Sequence, residues 1–220
     1  MPDALPLYDG LMTTRAMRRF TDEPVSDGDL ERCLAAAVQA PSGGNIQPYQ
    51  FMVVTDPEVK ARVGDLYLRA YDRYEPVVLA QFPPFDDAEA ERRHRRNWAL
   101  SRSLAESMST VPAMVLVVMP RIEMTLADDE GPLDVGPTYA SVYPAVENLI
   151  LAARSLGLGT CLTTVFRVYE AEVRAVGDIP DRYEVAALLP VGHPAGNWGV
   201  APRRPAPTLT HWNHWGNKRR

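Results

Sequence analysis

Residues 39–51 read QAPSGGNIQPYQF, and the way this stretch is understood decides how the whole chain is organised. A helical pattern runs into Pro41, then Ser42, Gly43, Gly44 and Asn45, and an apolar run follows. A plain link from helix to strand needs one glycine and little hydrogen-bonding capacity. This one carries two glycines and three amide side chains, Asn45, Gln47 and Gln50. Glycines let a ligand approach the backbone closely, and Asn and Gln offer the mixed donors and acceptors that a flat heterocycle needs. Ser42 would suit a hydroxylated or phosphate-bearing tail. The competing explanation is an elaborate loop with Asn45 in a left-handed turn. These residues alone leave both open.

The flanking elements place that loop between core segments. Ser26 with Asp29 three residues on makes an approximate capping box. Leu30, Cys33, Leu34, Ala37 and Val38 then form one apolar helical stripe. Residues 51–55, FMVVT, predict a strand buried on both faces. Asp56 and Pro57 supply an N-cap and a first-turn proline for a helix over 58–74. Residues 75–87, with Pro76, Pro83 and Pro84, predict a long loop or lid. A charged helix over 88–109, a strand over 113–119, an acidic loop over 121–137 and a central helix over 141–156 come next. Gly157 and Gly159 stop that helix; strands over 160–165 and 185–191 enclose a short helix over 170–176. The segment from Gly192 onward holds four prolines and three tryptophans without periodicity, as expected of an arm that packs on another surface, a second copy of the chain included.

This order predicts one domain over 1–220 of the α+β or three-layer α/β/α class, with 75–110 and 121–137 as lid or insertion segments and 196–220 as an extended arm. A GxGxxG turn is absent, which argues against a dinucleotide-binding crossover unit. A net charge of −5 excludes a global basic field for nucleic acid. The two cysteines, Cys33 and Cys161, lack metal-ligand spacing, and no apolar run is long enough to span a bilayer. With no signal-peptide pattern at the start, these features lead us to expect a reduced, cytoplasmic protein with no metal, nucleic acid or membrane partner.

Four segments carry candidate chemistry. In residues 13–20, TTRAMRRF, Arg15 and Arg18 would share one face if helical and could clamp a phosphate; a solvated arginine face is the plain alternative. The loop at 39–51 is the second. In residues 157–165, GLGTCLTTV, small residues leave backbone amides open and Thr163 and Thr164 add hydroxyls, unless the threonines only serve a tight link to a strand. Residues 201–205, APRRP, hold two arginines in a stiff proline frame. His211 and His214 read as packing, and Asp128, Asp129 and Glu130 as an acidic surface loop. Neither a GxSxG elbow nor a phosphate-binding GxxxxGK[ST] loop occurs.

Together, TRAMRRF, APSGGNIQPYQF, RSLGLGTCLTT, LPVGHP and APRRP, in this order over 7–215, resemble the nitroreductase family of FMN-dependent oxidoreductases. The closing THWNHW is similar to the ends of actinobacterial members. The resemblance implies a homodimer with a central, mostly antiparallel sheet flanked by helices, FMN at the subunit interface and a terminus wrapped over the partner. By position, Arg15, Ala16 and Arg18 would face the FMN phosphate and ribityl chain. Pro41, Ser42, Asn45 and Gln47 would line the isoalloxazine and ribityl; backbone groups of Leu162, Thr163 and Thr164 would meet the ring; Arg203 would return to the phosphate. Three positions depart from the family pattern: Ala16 for serine, Tyr49 for tryptophan and Thr14 for arginine. The implied activity is ping-pong hydride transfer through flavin N5, from NADH or NADPH to nitroaromatics, quinones or related small electrophiles. No side chain acts as acid or base. Residues 74–85 and Trp98 would wall the acceptor. Another flavin chemistry on the same scaffold (a dehalogenase, an enoate reductase, a flavin-fragmenting enzyme) and a non-catalytic flavin-binding module are the alternatives.

Overall fold

The computed structural model describes residues 5–85, 87–122, 126–133 and 136–219. Its centre is a four-stranded antiparallel sheet of β1 (Gln50–Val54), β2 (Ala113–Pro120), β5 (Gly159–Thr160) and β6 (Tyr183–Gly192), in the order β1-β2-β6-β5. The strand period of two explains the layering. On β2, Ala113, Val115, Val117 and Met119 enter one core, while Met114, Leu116 and Val118 enter the other. Helices α2 (Asp27–Ala37) and α5 (Tyr143–Ser155) cover the first face. Helices α3 (Pro57–Leu79), α4 (Ala88–Ser107) and α6 (Glu170–Val176) cover the second. This is the expected α+β arrangement in three layers. Two short helices, α1 (Leu7–Thr13) and α7 (Ala206–Leu209), lie near the ends of the chain.

The caps are where the sequence places them. Ser26 Oγ accepts from the Asp29 N–H at 3.1 Å and starts α2. Asp56 Oδ1 accepts from Glu58 and Val59 N–H at 2.9 and 3.0 Å and starts α3.

Four expectations are corrected. β1 sends Phe51 and Val53 to one core and Met52 and Val54 to the other, as expected, but it is an edge strand on which only Val54 is fully buried. α3 continues through Pro76 to Leu79, so the loop expected from residue 75 begins later. A proline near a helix end forfeits one backbone hydrogen bond, and here Arg102 of α4 grips both Asp72 and Glu75 in the turns before it. The acidic segment contains a hairpin, β3 (Leu126–Asp128) with β4 (Gly131–Leu133), turned at Gly131 with φ +126°; residues 123–125 and 134–135 of that segment lie outside the described residues. The strand expected over 160–165 is only β5 plus one bridge, Thr163 to Leu188, before a 3₁₀ turn at Val165–Tyr169. Among the described residues no helix is long and apolar enough to cross a membrane.

The second core depends on α3 touching the 3₁₀ turn Met108–Thr110. A Cβ added at Gly64 would lie 2.5 Å from the Ser109 backbone nitrogen. Gly64→Ala should therefore destabilise the fold by about 1–3 kcal/mol through overpacking. Urea unfolding would register this as a lowered midpoint, and an unchanged midpoint would contradict the packing.

Candidate functional site

Residues 14–19 form no helix, which corrects the helical reading of Arg15 and Arg18. α1 ends at Thr13, and Thr14 turns to extended backbone with its Oγ1 donating to the Gly10 carbonyl at 2.6 Å. The segment then lies along the end of the sheet. Met17 N–H donates to Thr160 O at 2.8 Å, Ala195 N–H to Arg19 O at 3.0 Å and Thr21 N–H to His193 O at 2.9 Å. Close approach requires bare backbone: a Cβ on Gly159 would lie 2.8 Å from Met17 Cβ, and one on Gly192 would lie 3.0 Å from Phe20. Met17, only 5% exposed, anchors the segment.

The docking leaves Arg18 half-buried at the junction of two cavities. One, of about 180 Å³, is walled by Arg15, Ala16, Arg18 and Arg19 with Leu100 and Asn197. The other, of about 240 Å³, lies between α3 and α4 and the 161–165 segment. Among the described residues neither Arg15 nor Arg18 has a hydrogen-bond or ion-pair partner, whereas Arg102, Arg121, Arg167 and Arg174 are all held by carboxylates. Arg18 is close enough to oppose, with its charge, the rise that burial imposes on the Cys161 thiol.

The 161–165 segment is held by its central residue. Thr163 exchanges both backbone hydrogen bonds with Leu188, each at 3.0 Å. Its Oγ1 lies 2.8 Å from the Tyr67 hydroxyl. Burial pushes that phenol up to about 12, so it stays protonated. The Thr163 amide is thus committed to the sheet, and the N–H groups of Cys161, Leu162 and Thr164 have no partner among the described residues. The aromatic wall comprises Tyr67, Tyr71, Tyr74 and Trp98, with Tyr71 and Tyr74 each about 6 Å from the Trp98 ring (6.3 and 6.0 Å).

The amide-rich loop is tied to itself and to two distant elements, Gly43 N–H donating to Ser141 Oγ at 3.0 Å. Ser42 Oγ accepts the Gln47 N–H at 3.0 Å, Gln47 Nε2 donates to Asn45 Oδ1 at 3.2 Å, and Gln50 Nε2 donates to the Tyr183 hydroxyl at 3.0 Å. Asn45 takes φ +56°, as the turn reading expects, and Gln47 takes φ +47°. Pro41 and Ser42 line a third cavity, of about 940 Å³, with Ile46, the hairpin and residues 136–141. Within one chain, then, Arg18, Leu162 and Thr163 share a cavity, Arg15, Ala16 and Arg18 share its neighbour, and Pro41 and Ser42 stand at another. Arg203 is in none of these walls; its guanidinium donates to the Pro202 carbonyl at 3.2 Å. Tyr74 and Trp98 line the cavity from helices α3 and α4 rather than from a loop, together with Tyr67, Tyr71, Asn97 and Ser101, for which the sequence reading has no role. Their only signal is spacing: 67, 71 and 74 fall on one face of α3, and 97, 98 and 101 on one face of α4.

Residues 11–193 match the Nitroreductase family model. The chain is 26% identical to an NADH dehydrogenase of Thermus thermophilus over 96% of its length and 100% of that protein's. It superposes on a BluB-like flavoprotein of Clostridium difficile 630 with a TM-score of 0.72 and 23% identity, covering 96% of this chain and 100% of that one. It superposes on an iodotyrosine deiodinase bound to FMN and 3-iodo-L-tyrosine with a TM-score of 0.68 and 25% identity, covering 90% and 95%.

Both thiols are buried, Cys161 in the wall of the α3–α4 cavity. Burial pushes Cys33 up to about 11 from 9.0 and raises Cys161 as well. At pH 7 a disulfide-exchange reagent should titrate neither thiol in the native protein and both after denaturation. Because the folded Cys33 holds its proton more tightly than the unfolded one, its contribution to stability is complete below about pH 9 and is lost as pH rises through about 11. Rapid native labelling at pH 7 would contradict the burial.

Proposed function

We propose that this chain, which belongs to the nitroreductase family, is an FMN-dependent oxidoreductase that moves electrons from NADH or NADPH to a small electrophile such as a nitroaromatic or a quinone. The observation that carries this reading is Arg18, half-buried and unpaired, in one cavity with Leu162, whose N–H has no partner among the described residues, and in the adjoining cavity with the equally unpaired Arg15. Unpaired arginines at a concave surface call for an anion, and their fork geometry suits a phosphate. Open backbone N–H groups suit a ring that gathers negative charge on reduction. This donor set fits a phosphorylated flavin.

In this reading Arg15 and Arg18 hold the phosphate, and Leu162 and Thr164 donate to the ring edge. Tyr67 fixes the Thr163 hydroxyl, and Tyr74 and Trp98 exclude water from the acceptor. Ala16 offers no hydroxyl, so the arginines carry more of the phosphate binding. FMN held there would supply the two-electron redox chemistry between nicotinamide and acceptor. The protein itself needs no acid–base pair.

The loop bearing Pro41, Ser42, Asn45 and Gln47 lines a different cavity from Arg18, so we place a second copy of the chain against this one to complete the cradle. Exposed apolar residues support a homodimer: Leu7 is 73% exposed on α1, and Trp215 is 92% exposed near the C-terminus. Arg203, in its proline frame, reaches the phosphate only in that assembly.

The purified protein should show a flavin absorbance band that bleaches anaerobically on addition of NADH or NADPH. Arg18→Ala should weaken FMN binding on the order of 10- to 100-fold, the worth of a charge-assisted hydrogen bond, measured by flavin fluorescence titration of the apoprotein. A colourless protein inert to both nicotinamides, or unchanged FMN affinity in Arg18→Ala, would refute the assignment.

A further inference from the structure

One arginine is held by something other than a carboxylate. Arg154 stands in the last turn of α5, part-buried, and burial lowers its guanidinium pKa from the ordinary value. Among the described residues it has no ion-pair partner, and its Nε has no hydrogen-bond partner. Two weaker contacts take their place. The guanidinium carbon lies 4.2 Å from the centroid of the Trp198 ring, and Nη2 donates to Thr13 Oγ1 at 3.4 Å. Arginine keeps its charge at any physiological pH, and a desolvated cation over an aromatic face is attracted to it. Thr13 ends α1 and Trp198 lies far along the chain, so Arg154 grips both segments at once.

What the grip holds is the rim of a cavity. Residues 195–199 meet residues 13–19 in opposite order. Ala195 N–H donates to Arg19 O at 3.0 Å at one end, and Gly199 N–H to Thr13 O at 3.5 Å at the other. Between these bonds lies the cavity of about 180 Å³, with Arg15, Ala16, Arg18 and Arg19 on one side and Gly196 and Asn197 on the other. The bond at Gly199 is long for a backbone pair and correspondingly weak. The contacts of Arg154 with Trp198 and Thr13 reinforce that weak end. Arg154 itself does not line the cavity, so its effect there runs through these two residues.

We propose that Arg154 is a positioning residue: by holding Trp198 and Thr13 together it fixes Gly196 and Asn197 as the rim of the arginine cavity, and so sets how tightly that cavity holds a flavin's phosphate. This deepens the function proposed above and rests on it. Thr13 and Trp198 belong to neither core, so releasing the grip loosens the rim without unfolding the chain. In this reading the rim meets the phosphate end alone, and a flavin without phosphate does not sense the change.

The test titrates the full-length apoprotein with FMN and with riboflavin, the same ring system without phosphate, and follows flavin fluorescence. The unaltered protein should prefer FMN. Arg154→Ala should weaken FMN binding about tenfold, within the worth of a desolvated cation over a ring, and leave riboflavin unchanged. A merely structural role would weaken both flavins alike. Trp198→Ala should act as Arg154→Ala does, and Trp198→Phe, which keeps an aromatic face, should recover most of the FMN preference. This second pair decides the matter if Arg154→Ala fails to fold. Equal losses for the two flavins, an FMN preference that survives Arg154→Ala or Trp198→Ala intact, or no recovery in Trp198→Phe would each overturn the inference. Failure of the flavin reading would look different: an unaltered protein that binds neither flavin, or both equally, would remove the phosphate site and this inference with it.

Discussion

The candidate site depends on one contact, the docking of an extended segment, residues 14–21, against the open end of the sheet. Three backbone hydrogen bonds hold it, from Met17 to Thr160, from Ala195 to Arg19 and from Thr21 to His193. They form only because Gly159 and Gly192 present no side chain where Met17 and Phe20 arrive. The result is a chain of consequences. Met17 is buried, the extended period turns its neighbours to either side, and two arginines come to rest at a concave surface with no carboxylate to neutralise them. Arg174 pairs with Glu170 and Asp181 and Arg167 with Glu184, whereas part-buried Arg154 lies over the Trp198 ring with no carboxylate partner among the described residues. Leaving Arg18 half-buried and unpaired is an electrostatic cost that an incoming anion offsets.

The second organising feature is the split of the core by a sheet buried on both faces. Because β2 and β6 alternate between two cores, α3 and α4 can lean together on one face while α2 and α5 fill the other. The α3–α4 pair then does two things at once. Its aromatic residues form the cavity wall, and Arg102 ties the helices by locking Asp72 and Glu75. The same ion pairs that hold the wall in place remove its negative charge from the reach of a ligand.

The fold was readable where local physics is strong. The caps at Ser26 and Asp56 and the continuous apolar run of β2 have unambiguous chemistry, and the helix at 170–176 agrees with α6 residue for residue. Pro76 misled because side-chain contacts from a helix far along the chain outweigh one lost backbone bond. The β3–β4 hairpin escaped because three-residue strands have no period to detect. Arginine spacing suggested a helical clamp, yet a partner strand decided the backbone instead, and no local pattern encodes such long-range pairing. The amides of the opening loop show a related limit: Asn45 and Gln47 bond each other and Gln50 reaches Tyr183 on β6, so their abundance serves the chain's own shape at least as much as any ligand.

The central claim is that Arg18, brought into one cavity with Leu162 by the docked segment, and Arg15 in the adjoining cavity form the anion-binding half of a flavin cradle. A crystal structure of the FMN-loaded protein tests it most directly. The account requires the phosphate within hydrogen-bonding distance of both guanidiniums, with the ring edge against the Leu162 and Thr164 amides. A flavin bound elsewhere, with Arg15 and Arg18 still facing water, would contradict it.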